Sequence, residues 1–277
     1  MNNILAIIEE TFREAKARKT LIGFFILSSV LILITLLVFQ NPSVKNAMSE
    51  HAKMRDADIA ASILNTTVLD VVWSAISINF FIFTMCMGVF ATAAFISSIM
   101  EKGTIDLLLS KPVPRWQYII GRYIGSLLII LLEVTWFVLG MWVVISLSVG
   151  TWNMGFPLSI IHILVAFAGL YSVVVFVSVL SRSSLLAIIV SIGVAFISML
   201  AALGKWASTI VDSGPKTIWG YLGDFFYYTF PQVTDMGMNM SNTIIGKPIH
   251  WTPIFLILGL TTLYMSLSIY FFNKKEF

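Results

Sequence analysis

The stretch PLSIIHILVAFAGLYSVVVFVSVLSRSSLLAIIVSIGVAFISMLAALG, residues 157–204, carries a single formal charge, Arg182. Two apolar runs, Pro157–Leu180 and Ser184–Gly204, flank a short polar turn. Each has the ~20 residues that a helix needs to cross a bilayer. Lipid offers no partner to backbone N–H and C=O groups, so a spanning segment is either a helix or a strand of a closed barrel. Strand-like alternation is absent and the runs are too long for strands. Both are read as transmembrane helices.

Outward from this pair lie four more runs of the same kind, at Leu21–Phe39, Val71–Ile99, Tyr123–Val149 and Pro253–Phe272. The expected fold is therefore an all-α membrane protein of six transmembrane helices. Composition agrees across all 277 residues, with 58% hydrophobic, 11% charged and a mean hydropathy of +0.92. Soluble domains carry about 25% charged residues, so this chain lacks the polar groups to cover a water-facing surface. The lone cysteine, Cys86, excludes an internal disulfide and a cysteine-built metal site. Inside an apolar run it reads as a small buried thiol. A formal charge of +3 gives no basis for binding nucleic acid.

Where the cations sit matters more than their sum. Arg13, Lys16, Arg18, Lys19, Lys102, Lys111, Arg115, Arg122, Arg182, Lys274 and Lys275 fall on one side of the six spans. Lys45, Lys53, Arg55, Lys205, Lys216 and Lys247 fall on the other. The side richer in Lys and Arg is read as cytoplasmic. Both termini are then cytoplasmic, as an even number of spans requires.

Residues 1–20 read as an interfacial amphipathic helix ahead of a transmembrane domain over 21–277. Ile4, Ile8, Phe12 and Ala15 recur at helical spacing, with Glu9, Glu10, Arg13 and Lys16 on other faces. The charged part is acidic as well as basic and no A-x-A-like site follows, so a cleavable signal peptide is not expected. Two substantial outward loops are expected over 41–70 and 205–252. The first could hold a short helix from Lys45 to Ala61. The second is rich in aromatics, including Trp219, Tyr221, Phe225 and Tyr228, which favour the membrane–water interface, so part of it should dip back onto the bilayer or cap the bundle. Gly150–Phe156 reads as a tight turn.

The segment 101–122, between the second and third spans, is the most specific part of the chain. Gly103 breaks the incoming helix, and Thr104 is a good N-cap for a new one. Asp106 suits the first turn of that helix, and Pro112 ends it. Ile105, Leu107, Leu108 and Leu109 make this short helix oddly apolar for cytoplasm, so it rests on lipid or plugs into another protein. The pattern Glu-x-Gly-Thr-(x)3-Leu-Leu-Ser-x-Pro, with Arg115 and then Ile119-Ile120-Gly121-Arg122, resembles the ABC-2 type permeases, with a type V exporter-like fold. It is especially similar to the branch that includes permeases for maturation of the nitrous-oxide reductase copper site.

That resemblance implies that Glu101, Gly103, Thr104, Leu107, Leu108, Ser110, Pro112 and Arg115 belong to a coupling helix that docks into a separate ABC ATPase subunit. Ser181 and Arg182 would supply a second contact. It also implies a second permease copy, as a homodimer or with a paralogue, and the bacterial inner membrane as location. ATP and Mg2+ would be held by the partner, with no cofactor in this chain. Phe230-Pro231-Gln232-Val233-Thr234-Asp235 stands where relatives carry an Asn-Pro-x-(x)-Asp-like element, with Phe in place of Asn.

Two intramembrane groups stand out. Glu133 and His162 lie inside apolar spans, where ionisable residues normally face a bundle interior or a water-filled cavity. Each reads either as a substrate-pathway group or as a structural hydrogen-bonding one. Met236, Met238 and Met240 are soft ligands in type, yet methionine commonly fills irregular apolar gaps, and no metal site is expected. Gly121 and Gly125 form a small-xxx-small pair suited to close helix packing. The sequence has no G-x-x-x-x-G-K-[ST] loop for ATP and no H-E-x-x-H. Besides a transporter permease, a membrane anchor that relays an ATPase cycle to an external partner stays open.

Overall fold

The computed structural model describes residues 2–17, 19–42, 59–97, 114–149, 152–210 and 218–275. Among the described residues the regular structure is helical. The elements are α1 (Asn2–Ala17), α2 (Thr20–Gln40), α3 (Ile59–Ser97), α4 (Arg115–Val149), α5 (Gly155–Ser181), α6 (Ser184–Ile210), α7 (Ile218–Thr229), α8 (Val233–Ile245) and α9 (Trp251–Lys274). The six expected spans fall in α2, α3, α4, α5, α6 and α9. Five of these helices are long and apolar enough to cross a membrane, and α3 contributes a shorter apolar stretch, Ser77–Ala93.

Helix α5 is the hub. It touches α3, α4, α6, α8 and α9, and 67% of its apolar span is buried, against 6% for α2. Ile163, Phe167, Tyr171, Val174, Val175 and Val179 are fully enclosed. Phe167 stacks on Tyr171, and Tyr171 on Tyr123 of α4, with centroids 5.4 and 5.6 Å apart. A span apolar all round and enclosed by neighbours is a core helix. Helix α2, so little enclosed, leaves Leu, Ile and Val side chains such as Ile26, Leu33 and Leu37 exposed.

Among the described residues, two non-glycine residues adopt left-handed backbone between helices, Lys19 (φ 56°) between α1 and α2 and Arg182 (φ 59°) between α5 and α6. Gly246 (φ 76°) closes α8 in the same way, which a residue without Cβ does at no steric cost.

The segment read as an outward loop over 205–252 holds substantial structure. Helix α6 runs on to Ile210, α7 packs on α6, and α8 packs on α5, α3 and α6. Although α8 is polar in sequence, Met236, Asn239, Met240 and Ile244 are buried. In the other outward loop, residues 43–58 lie outside the described residues, and α3 is helical from Ile59. Cys86 corrects the expectation of a buried thiol. It is exposed, with exposed Ile82 and Phe90 one helical turn to either side on α3. An apolar run says that a residue lies in the membrane, and α3 has an outer face that the protein does not cover.

Candidate functional site

Among the described residues, polar groups gather at each end of the apolar body and around Glu133 in its middle. Of the expected coupling residues, Glu101, Gly103, Thr104, Leu107, Leu108, Ser110 and Pro112 lie outside the described residues. Arg115, at the start of α4, reaches the end of α9. Its Nη1 donates to the carbonyls of Lys275 (2.9 Å) and Asn273 (3.4 Å). Lys275 in turn donates from Nζ to the carbonyls of Val179 (2.5 Å) and Leu180 (3.0 Å) at the end of α5. These are carbonyls that a helix leaves unserved at its C-terminus, and cations suit that pole of the dipole. Burial, and then the nearby Arg182, push the Lys275 ammonium below the usual lysine range. Ser181 Oγ donates to Val177 O (2.8 Å) and accepts from Ser183 N (3.3 Å), tightening the turn on which exposed Arg182 sits.

At the same end the structure brings Arg122 and the Gly121–Gly125 pair together with Ile7, Thr11 and Glu14, which the sequence reading did not single out. Arg122 of α4 is only 3% exposed. Its guanidinium pairs with Glu14 and with Glu10 (3.2 Å), both from α1. Ile7 and Thr11 of α1 lie against the gap left by Gly121 and Gly125. A Cβ on Gly121 would come within 2.8 Å of Ile7 Cγ2, and one on Gly125 within 2.9 Å of Thr11 Cβ. The small-xxx-small pair therefore receives α1 of the same chain. Glu10 and Glu14 stand four residues apart on one helix, as Gly121 and Gly125 do on the other. That matching period was the available sequence signal.

The middle constellation surrounds Glu133. It lies in α4 and faces a cleft whose walls are α2 and α3, lined by Phe24, Leu27, Phe83, Met87 and Phe137 among others. Ser28 Oγ donates to Glu133 Oε1 (3.0 Å) and also stands 3.1 Å from Phe25 O. One hydroxyl proton thus faces two acceptors. Glu133 Oε2 is buried and has no hydrogen-bond partner among the described residues.

At the opposite end, His162 is buried in α5 with Nε2 3.5 Å from Thr243 Oγ1 of α8. Thr243 donates to Asn239 O (2.9 Å), and Asn239 exchanges two hydrogen bonds with the backbone of His250. Asn153, before α5, donates to Ile244 O (2.6 Å) and caps α8. In the Phe230–Asp235 stretch, Gln232 Nε2 donates to Tyr227 O (2.9 Å) and Tyr227 donates to Asp235 Oδ2 (2.5 Å). Burial, then the hydrogen bond and charge of Asp235, raise the Tyr227 phenol above its usual range. Met236 and Met240 are buried while Met238 is half exposed on another face of α8. Successive turns of a helix part these sulfurs, so the three do not converge on a point.

Compared with known families, residues 5–277 match the one described as ABC-2 family transporter protein. No curated protein matches the chain.

Proposed function

The chain belongs to the ABC-2 family of transporter proteins, as a multi-pass membrane permease subunit of an ABC transporter, and on that premise we propose that it couples ATP hydrolysis in a separate ATPase subunit to export of a substrate. The observation that carries this reading is the family match across nearly the whole of a chain whose described residues are largely helical. Because the sequence has no phosphate-binding loop of its own, ATP and Mg2+ belong to the partner. Two such permeases, identical or paralogous, assemble with two ATPases in the bacterial inner membrane, with both termini in the cytoplasm.

Coupling is assigned to residues Glu101–Arg115 and to the Ser181–Arg182 turn. The physical support is the way helix ends are tied beside them. Arg115 holds α4 to the end of α9, Lys275 holds that end to α5, and Arg122 holds α1 to α4. A push on the segment between α3 and α4 would therefore reach α1, α4, α5 and α9 together. Packed elements joined by several polar ties respond as a body.

The test is co-purification with the ATPase encoded beside this chain, comparing wild type with Gly103→Pro and Leu108→Asp. Assembly and stimulated ATP hydrolysis in wild type, lost in both variants, are expected. Variants that assemble as well as wild type would sink the coupling assignment.

A further inference from the structure

The cleft at Glu133 has two properties that together specify a ligand. Its walls are apolar and open sideways. Helix α2 rests on α4 and scarcely meets α3, and of the uncharged residues that line the gap Leu27 is exposed while Phe24, Phe83 and Met87 are half-buried. A molecule dissolved in the bilayer could enter between α2 and α3 without leaving an apolar environment. Its floor carries one carboxyl group that is short of donors. Oε2 has no hydrogen-bond partner among the described residues, and Oε1 competes with Phe25 O for the one Ser28 proton. Thr84, the other hydroxyl of the lining, already donates to Phe80 O at 2.9 Å.

A buried polar atom without a partner is costly, and a carboxylate deep in a membrane more so. An occupant that brings donors and positive charge relieves both. A bare metal ion is a poor candidate, because hard cations collect six or more oxygen ligands and the cleft offers few. The cleft encloses only about 30 Å³, room for a head group, so the occupant must carry its charge on an apolar body that runs outward along Phe24, Leu27, Phe83, Met87 and Phe137.

We propose that the cleft between α2, α3 and α4 is a binding site for lipophilic amines, with the ammonium head donating to Glu133 Oε2 and the apolar body lying among these side chains. This deepens the permease reading by giving the substrate a chemical class and a lateral route of entry. It can fail while that reading stands, because the test needs no ATPase.

The full chain in lipid nanodiscs would be equilibrated with dodecylamine, or with dodecanol as the neutral counterpart of equal length, and empty discs subtracted. Wild type is expected to hold dodecylamine at least tenfold more tightly than dodecanol. Glu133→Gln, nearly the same in shape, is expected to lose that preference, and Met87→Trp, which fills the cleft, to lose both ligands. A dodecylamine analogue with a diazirine on its chain is expected to label peptides of α2, α3 and α4 in wild type, a readout independent of whether the variants fold. Equal affinity for the two ligands in wild type, undiminished preference in Glu133→Gln, or labelling confined to other helices would each overturn the proposal.

Discussion

Arg122 shows how one residue can hold an element that the rest of its sequence leaves marginal. A guanidinium 3% exposed needs counter-charge, and the two carboxylates that supply it are not equivalent. The Glu14 side chain is 19% exposed and the Glu10 side chain 48%. The more buried partner is less screened by water, so Glu14→Gln should cost about 1–3 kcal/mol, and Glu10→Gln less than about 1 kcal/mol. Thermal unfolding in detergent would check the order, and a reversed order would remove Arg122 as the anchor of α1. Tyr227 makes a residue-scale prediction in pH. Its phenol titrates above its unfolded range, near pH 10. The protonated form is therefore favoured by folding. Its contribution is whole below about pH 10 and declines as the unfolded chain ionises above it. Tyr227→Phe should lose about 1 kcal/mol at neutral pH, and alkaline titration by tyrosinate absorbance should lose one late-titrating group.

At the scale of elements, α1 and α8 show where sequence reading reaches and where it stops. Apolar periodicity marks α1 as amphipathic, because a stripe at 3.6-residue spacing survives without knowledge of its partner. The enclosed face runs Ile7, Thr11, Ala15, with Ile4, Ile8 and Phe12 half-buried along it. A threonine near its centre hides that line from a count of apolar residues. Thr11 is accommodated because its hydroxyl donates to Ile7 O (2.8 Å) within the helix. The spans are legible for a stronger reason, since lipid permits few alternatives to twenty apolar residues in a helix. Helix α8 is illegible by the same standard. Its asparagines, serine and threonines look solvated, yet Asn239 and Ser241 are buried and Thr243 is half-buried, with Asn239 paired to the His250 backbone and Thr243 to Asn239 O beside His162. The seat of α1 makes a direct prediction. Ile7 is branched at Cβ, the atom 2.9 Å from a Cβ on Gly121, so it cannot swing aside. Gly121→Ala should displace the whole helix at a cost of about 1–3 kcal/mol. Hydrogen exchange over residues 2–17 should rise while α5 stays protected; unchanged exchange would mean that α1 is held elsewhere.

For the whole molecule, the polar ties divide the helix ends into two sets, and this gives the proposed orientation a structural form. Arg122 with Glu10 and Glu14 places α1 at the start of α4. Arg115 and Lys275 bring the end of α9 and the end of α5 to that same place. Lys16, Arg182 and Lys274 stand on these elements. Asn153, before α5, meets the end of α8 at Ile244, and exposed Lys247 follows one residue past Gly246. Residues of α5 rise by 1.5 Å each, so the ends of that helix stand about a membrane's thickness apart, with Arg182 at one and Asn153 at the other. If the end richer in Lys and Arg is cytoplasmic, then in a Cys86→Ser background Lys247→Cys should react with an impermeant maleimide on intact cells. Lys16→Cys and Lys274→Cys should react only after permeabilisation. The opposite pattern would invert the protein and put the coupling segment on the side without ATP. Labelling of all three from outside would put Lys247 and Lys274 in one compartment and so remove α9 as a span.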